Sequence, residues 1–293
     1  MKDDRPQSAN GFVSQSTPDI LTLGEASALV VGRAHELVKQ LTSATQRTDP
    51  PFNAREYARL VGIKGVVEAD LGEVGAALLR YSDGHVVEVN RNHHPVRQNF
   101  SIGHEVGHII LDELNLTRVE DTDFRTFSPQ THSRARSRTL EHLCDVAASE
   151  LIMPEAVFKR YLSASAVSIQ SVGRLATAFG VSFQAAAIRI TEVSEEACLA
   201  ILWNAWPKKR RKGFRVTWCV GPGKNLSWKR RGVPLHMLAS NVSALGKAYD
   251  GDETVKSRRL FQLDGSVTRV FTESKGFGRG ETRYVLSLAF PQR

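Results

Sequence analysis

The chain has 293 residues, 41% hydrophobic and 24% charged, which is enough to bury a sizeable core and to fold as two domains with a small third. Its net charge of +8 is uneven: from Glu195 onward 19 Lys and Arg face 8 Asp and Glu, whereas the part before it is slightly acidic. No apolar run approaches the ~20 residues of a membrane span and no signal-peptide core opens the chain. Cys144, Cys198 and Cys219 are odd in number and widely spaced, which suits free thiols in a reducing compartment. A cytoplasmic protein with no membrane partner is expected.

Residues 1–19 are polar and read as a disordered tail. From Leu23 to Leu41, apolar residues at Ala26, Leu29, Ala34, Leu37 and Leu41 describe an amphipathic helix. Pro50-Pro51 breaks the chain, and Asn53 is placed to cap a short helix through Leu60. Ala76–Tyr81, the turn Ser82-Asp83-Gly84, and His85–Asn90 read as a β-hairpin. An edge strand of such a sheet can receive an extended substrate by main-chain pairing. His85, His93 and His94 read as surface or hairpin residues rather than ligands.

The stretch that carries chemistry is His104-Glu105-Val106-Gly107-His108. At 100° per residue, two histidines four apart project from one face of a helix and can share one metal ion. Glu105 falls beside the same ion, where its carboxylate can take a proton from water rather than bind the metal. Ile102, Val106, Ile109 and Ile110 would hold that helix on a core.

A third ligand is sought downstream. Leu140, Leu143, Ala147, Leu151 and Ile152 recur at helical spacing until Pro154 stops the pattern, and on that helix Glu141 and Asp145 lie four apart. Glu141 as third ligand, with Asp145 steadying a ligand imidazole, is the arrangement that a two-histidine, one-glutamate site requires. The polar stretch Leu116–Arg138 between the helices reads as a long loop beside the cleft. His132 in it, and Tyr161 beyond it, are candidate stabilisers of a tetrahedral oxyanion, with solvated residues as the alternative.

His104-Glu-x-x-His108 followed by Glu141-x-x-Cys-Asp145-x-x-Ala-x-x-Leu-Ile-Met-Pro154 resembles the ImmA/IrrE family of zinc peptidases, over roughly Phe52 to Thr191. The family usually has Ala where Cys144 stands and an aromatic where Ala147 stands, departures that read as packing changes. The resemblance implies a zinc-dependent endopeptidase with Glu105 as general base and His104, His108 and Glu141 as ligands. It implies as substrate a cytoplasmic Cro/CI-like helix-turn-helix repressor, cut to release DNA-damage-response genes. Such a ligand set also accepts other divalent ions, manganese among them.

Ser168–Phe179, Gly180 and Phe183–Ile190 form a helix-turn-helix by spacing. Its second helix offers Ser182, Gln184 and Arg189 among alanines, a poor set for reading bases. The resemblance implies that this element packs beside the peptidase core.

After Ser194 the texture becomes strand-rich, with strands at Cys198–Trp206 and Phe214–Val220, a helix from Pro234 to Tyr249, and further strands completing a mixed sheet. The resemblance implies a GAF-like module here, sensing an unidentified small-molecule signal. The basic run Lys208, Lys209, Arg210, Arg211 and Lys212 sits at a hairpin tip. With Trp203, Trp206, Trp218 and Trp228 interleaved it suits phosphate contact and base stacking, and it equally suits a solvated loop over core tryptophans.

The fold expected is therefore α+β and multidomain: a zincin-like peptidase domain at 20–160, a helix-turn-helix-like segment at 161–194 and a GAF-like α+β domain at 195–293. Two other functions fit the same residues: a DNA-binding transcriptional regulator using the helix-turn-helix and basic domain, or a ligand sensor with a vestigial metal site.

Overall fold

A computed structural model describes residues 21–116, 119–120, 129–208, 211–221, 238–240, 244–263 and 266–291; the expected tail at 1–19 lies outside them. Helix α1 (Leu23–Thr45) opens on a capping box, Thr22 accepting from the Glu25 amide while Glu25 accepts from the Thr22 amide. It buries Ala26, Val30, Ala34, Leu37 and Leu41, a stripe at helical spacing. Helix α2 (Ala54–Leu60) is capped by Asn53, whose side-chain oxygen accepts from the Arg55 amide at 3.0 Å.

Strands β2 (Ile63–Ala69), β3 (Ala76–Tyr81) and β4 (Gly84–Asn90) form one sheet in the order β2-β4-β3. The hairpin read at Ala76–Asn90 is present, with Gly84 at φ 144°, a conformation that favours glycine. This order leaves β3 with one unpaired edge among the described residues. Helix α3 (Pro95–Glu113) carries the His-Glu-x-x-His motif and is capped by His94, whose Nδ1 accepts from the Val96 amide.

Helix α4 spans Pro129–Ile152, so ten residues expected in a loop are helical, and only a shorter connection containing β5 (Val119–Glu120) separates the two motif helices. That strand pairs with β1 (Leu21–Thr22). Pro154 ends the helical pattern and occupies the N-cap position of α5 (Glu155–Leu162), which buries Phe158 and Leu162, four residues apart.

Helices α6 (Ile169–Phe179) and α7 (Phe183–Val193) meet at Gly180, which takes the left-handed conformation at φ 63°. Arg189, the cation of α7, is buried: Nε donates to the Met153 carbonyl at 3.0 Å and the guanidinium pairs with buried Glu150 and with Glu192. At the start of α7, Phe183 stacks on Phe277 with centroids 4.4 Å apart. Arg189 and Phe183 are thus taken up in internal packing, while Ser182 is exposed and Gln184 half-buried.

The remaining strands are β6 (Leu199–Lys208), β7 (Arg211–Val220), β8 (Leu238–Ser240), β9 (Val255–Leu263), β10 (Ser266–Phe277) and β11 (Tyr284–Pro291). They form a six-stranded sheet in the order β8-β7-β6-β11-β10-β9, and its pairings are antiparallel rather than mixed. Of the helix expected from Pro234 to Tyr249, the described residues hold α8 (Ala244–Asp250) and a strand, Leu238–Ser240, that pairs with β7; 234–237 and 241–243 lie outside the described residues.

Strand alternation divides this sheet between two cores. Cys198, Ala200, Leu202, Leu286, Leu288 and Phe290 join the apolar cluster of the helical half. Leu199, Ile201, Trp203, Val216 and Val285 pack on the other face with Leu245 and Ala248 of α8. Trp203 is a core residue whose Nε1 donates to Ser287 Oγ at 3.1 Å, so it is unavailable to stack on a base. Among the described residues no helix is long and apolar enough to cross a membrane.

Candidate metal centre

The site begins with two glycines. A Cβ on Gly107 would lie 2.8 Å from Cys144 Cα, and one on Gly103 would lie 3.3 Å from Ala148 Cα. Gly103 and Gly107 on α3 therefore let α4 approach at Cys144 and Ala148, four residues apart on each helix. The same close crossing turns the His104 and His108 face of α3 toward Glu141 and Asp145 of α4.

His104 is held from both ring nitrogens: Nδ1 lies 2.9 Å from Asp145 Oδ1 and Nε2 lies 3.1 Å from Glu141 Oε2. The rings of His104 and His108 are edge to face with centroids 5.1 Å apart. Glu105 is 7% exposed, and the Leu78 amide of β3 lies near enough to favour its charged form. Cys144 Sγ lies 3.4 Å from His108 Nδ1, so the departure read as packing touches a motif histidine. His104, His108 and Cys144 each offer a donor atom within 4.8 Å of the others.

Electrostatics separate the three motif residues. Burial raises the pKa of Glu105, the His104 charge opposes that, and Glu141 reinforces it. Burial pulls His104 down, but the hydrogen bond and charge of Asp145, with Glu105 and Glu141, outweigh it and leave His104 raised. His108 is lowered by burial and by the His104 charge. Burial also pushes the Cys144 thiol well above its ordinary range, with Glu141 and Glu105 adding to it.

The donors that lie mutually within reach of one ion are those of His104, His108 and Cys144, whereas Glu141 approaches the group at His104 only. The His104 Nε2 to Glu141 Oε2 separation of 3.1 Å is close to the ~3.4 Å edge of a tetrahedron with ~2.1 Å metal–donor bonds. With Asp145 on Nδ1 of His104 and Cys144 on Nδ1 of His108, each imidazole has an outer partner that leaves Nε2 for a metal.

His104, Glu105, His108 and Glu141 line one cleft of about 520 Å³. Gly75, Ala76, Arg97, Phe100 and Ser101 complete its walls. These five were not singled out in the sequence. Arg97 and Ser101 precede His104 at helical spacing and so share its face, a signal the sequence did contain.

Tyr161 does not line the cleft; its hydroxyl donates to Asp49 at 3.2 Å and its ring packs on Phe179. His132 lies in the first turns of α4, with its side chain outside the described residues. Of the basic run, Lys208 pairs in register with Arg211 and Pro207 with Lys212 at the end of the β6–β7 hairpin, while Lys209 and Arg210 lie outside the described residues.

A His-Glu-x-x-His helix crossed by a carboxylate-bearing helix, with a small sheet along the cleft, is the architecture of a metallopeptidase-type domain. Residues 61–191 match the peptidase M78 family, described as the IrrE N-terminal-like domain. The chain thus resembles the ImmA/IrrE family, as the paired motifs indicated. It is 30% identical over 179 residues to the radiation response metalloprotease IrrE of Deinococcus radiodurans, a match covering 59% of this chain and 49% of that protein. The chain therefore spans about half the length of the curated relative it matches. In fold it is similar to a solved Mycobacterium tuberculosis transcriptional regulator, with a TM-score of 0.59 at 13% identity, over 92% of this chain and 80% of that one.

Proposed function

We propose that this protein is a zinc-dependent endopeptidase in which His104, His108 and Glu141 hold the ion and Glu105 is the general base. The observation that carries the reading is the 3.1 Å approach of Glu141 to His104 Nε2 beside a buried Glu105 in an open cleft. When bound, zinc supplies Lewis-acid polarisation of the scissile carbonyl and lowers the pKa of water; manganese fits the same oxygen and nitrogen donors. Glu105, desolvated beside the histidines, accepts the proton of the attacking water and returns it to the leaving amine. Asp145 holds the His104 ring in orientation through Nδ1.

The substrate proposed is a cytoplasmic Cro/CI-like helix-turn-helix repressor whose cleavage induces a DNA-damage or radiation response. Support comes from the family resemblance and from the name of the Deinococcus relative. We assign residues 20–160 to the peptidase, 161–194 to a packing element beside it and 195–293 to a GAF-like regulatory module taking a small-molecule signal. The burial of Arg189 disfavours reading of DNA bases by α7.

The test is digestion of purified repressor by zinc-loaded protein without DNA, beside the Glu105→Gln variant. Cleavage is expected to fall by roughly 10³-fold in the variant, with fold and metal content retained. Normal turnover by Glu105→Gln would remove it from the mechanism. Sequence-specific DNA binding by metal-free protein, with no repressor cut, would establish the regulator instead.

A further inference from the structure

The cleft has a direction. Strand β3 and helix α3 run side by side in the same sense: a methyl at Gly75 would meet Ser101 Oγ at 2.6 Å, the Leu78 amide lies near Glu105, and Arg80 pairs with Asp112 at 2.5 Å. Five strand residues at ~3.3 Å and eleven helix residues at ~1.5 Å cover nearly the same length, so the two elements stay in step along the cleft. One end is marked by Gly75 and Ser101, the other by Arg80 and Asp112.

Arg97 stands beyond the first end. It lines the cleft from α3, seven residues and so two turns before His104, on the same face. It is exposed, and its guanidinium has no hydrogen bond or ion pair with any described residue. Arg80, by contrast, is tied to Asp112. Arg97 is the one cation among the described residues lining the cleft, whose other ionisable walls are Glu105, Glu141 and the two histidines.

We infer that Arg97 sets substrate specificity by binding a carboxylate two to three residues C-terminal to the scissile bond. The inference rests on the peptidase reading above. Seven helical residues span ~10 Å, and an extended peptide covers that in about three residues. Antiparallel pairing with the free edge of β3 is the more stable arrangement. It makes the substrate run from the Arg80 end toward the Arg97 end, so the residue at Arg97 follows the cut. An arginine fork matches a carboxylate in geometry and charge. That carboxylate is either an Asp or Glu side chain or the C-terminal carboxylate of a short product-like peptide.

Peptides bearing an N-terminal hydroxamate test this, because the hydroxamate anchors at the metal centre and fixes the register without turnover. Two series are made, amidated at the C-terminus and varying the second or the third residue among Glu, Gln and Lys. Affinity is measured by calorimetry on the zinc-loaded full chain. In one series Glu is expected to bind roughly three- to fivefold tighter than Gln, with Lys weakest and the order flattening in high salt. The free acid of the Gln peptide measures how far a C-terminal carboxylate substitutes. Arg97→Glu should reverse the order of Glu and Lys while metal content stays the same. Equal affinities in the wild type, or an unchanged order in Arg97→Glu, overturn the role of Arg97 while leaving the peptidase reading intact. Failure of every hydroxamate to bind removes the metal centre, and the inference with it.

Discussion

Helix pairs α3–α4 and α6–α7 are built alike, each with an apolar stripe and a glycine where the helices meet, yet they use polar residues in opposite ways. Across α3–α4, His104, Glu141 and Asp145 face an open cleft. On α7, Arg189 turns inward to Glu150 of α4, and Phe183 is covered by Phe277 of the C-terminal sheet. A helical pattern thus decides where a helix packs, whereas the neighbours it meets decide whether its polar groups are structural or chemical. The reading proposed above puts chemistry on α3–α4, and the open cleft there supports it.

The comparison breaks most visibly at Arg189. Arg189→Ala strands the Glu150 carboxylate in the interior and is expected to destabilise the fold by about 3 kcal/mol, the lower end for a broken buried pair because His35 and the Glu155 amide still reach Glu150. Urea denaturation checks this. A variant with wild-type stability would mean that Arg189 is available for another role, DNA included.

The glycines provide a second contrast. Gly107→Ala places its methyl against backbone, 2.8 Å from Cys144 Cα, and is expected to cost about 1–3 kcal/mol and to weaken metal binding by spreading the site. Gly173→Ala on α6 meets only the Phe183 ring, at 3.3 Å. Its gain in helix propensity, up to about 1 kcal/mol, offsets that contact, and a change in stability near zero is expected. Thermal melts of the two metal-free variants measure the difference; equal destabilisation would show that the α3–α4 crossing is not the tighter one.

The smallest effect is expected at Tyr161. Because its hydroxyl is bound to Asp49 away from the cleft, Tyr161→Phe should leave the kcat of the proposed peptidase activity within about twofold and lower stability by no more than about 1 kcal/mol. A loss of 10²-fold in kcat would return Tyr161 to the role of oxyanion stabiliser.

Much of this was legible in sequence because it is local. The His104–His108 spacing, the Asn53 cap, the Gly84 hairpin and the Gly180 joint each follow from a few adjacent residues. What failed to read was set by distant partners. Pro129–Arg138 has no apolar period, so its helical continuation into Thr139 was invisible. Leu238–Ser240 fits a helical spacing and becomes a strand because β7 offers it an edge. Cys144 looked like packing until the crossing at Gly107 set its thiol against His108.

That thiol also leads to the measurement that bears most directly on the metal centre. Metal stoichiometry should be determined on full-length wild type, Glu141→Ala and Cys144→Ala after zinc loading and desalting. With Glu141 as third ligand, wild type and Cys144→Ala retain one zinc per chain and Glu141→Ala loses it, because two histidines alone hold the ion weakly. Retention by Glu141→Ala together with loss by Cys144→Ala would contradict the account and make the centre a His104, His108, Cys144 site.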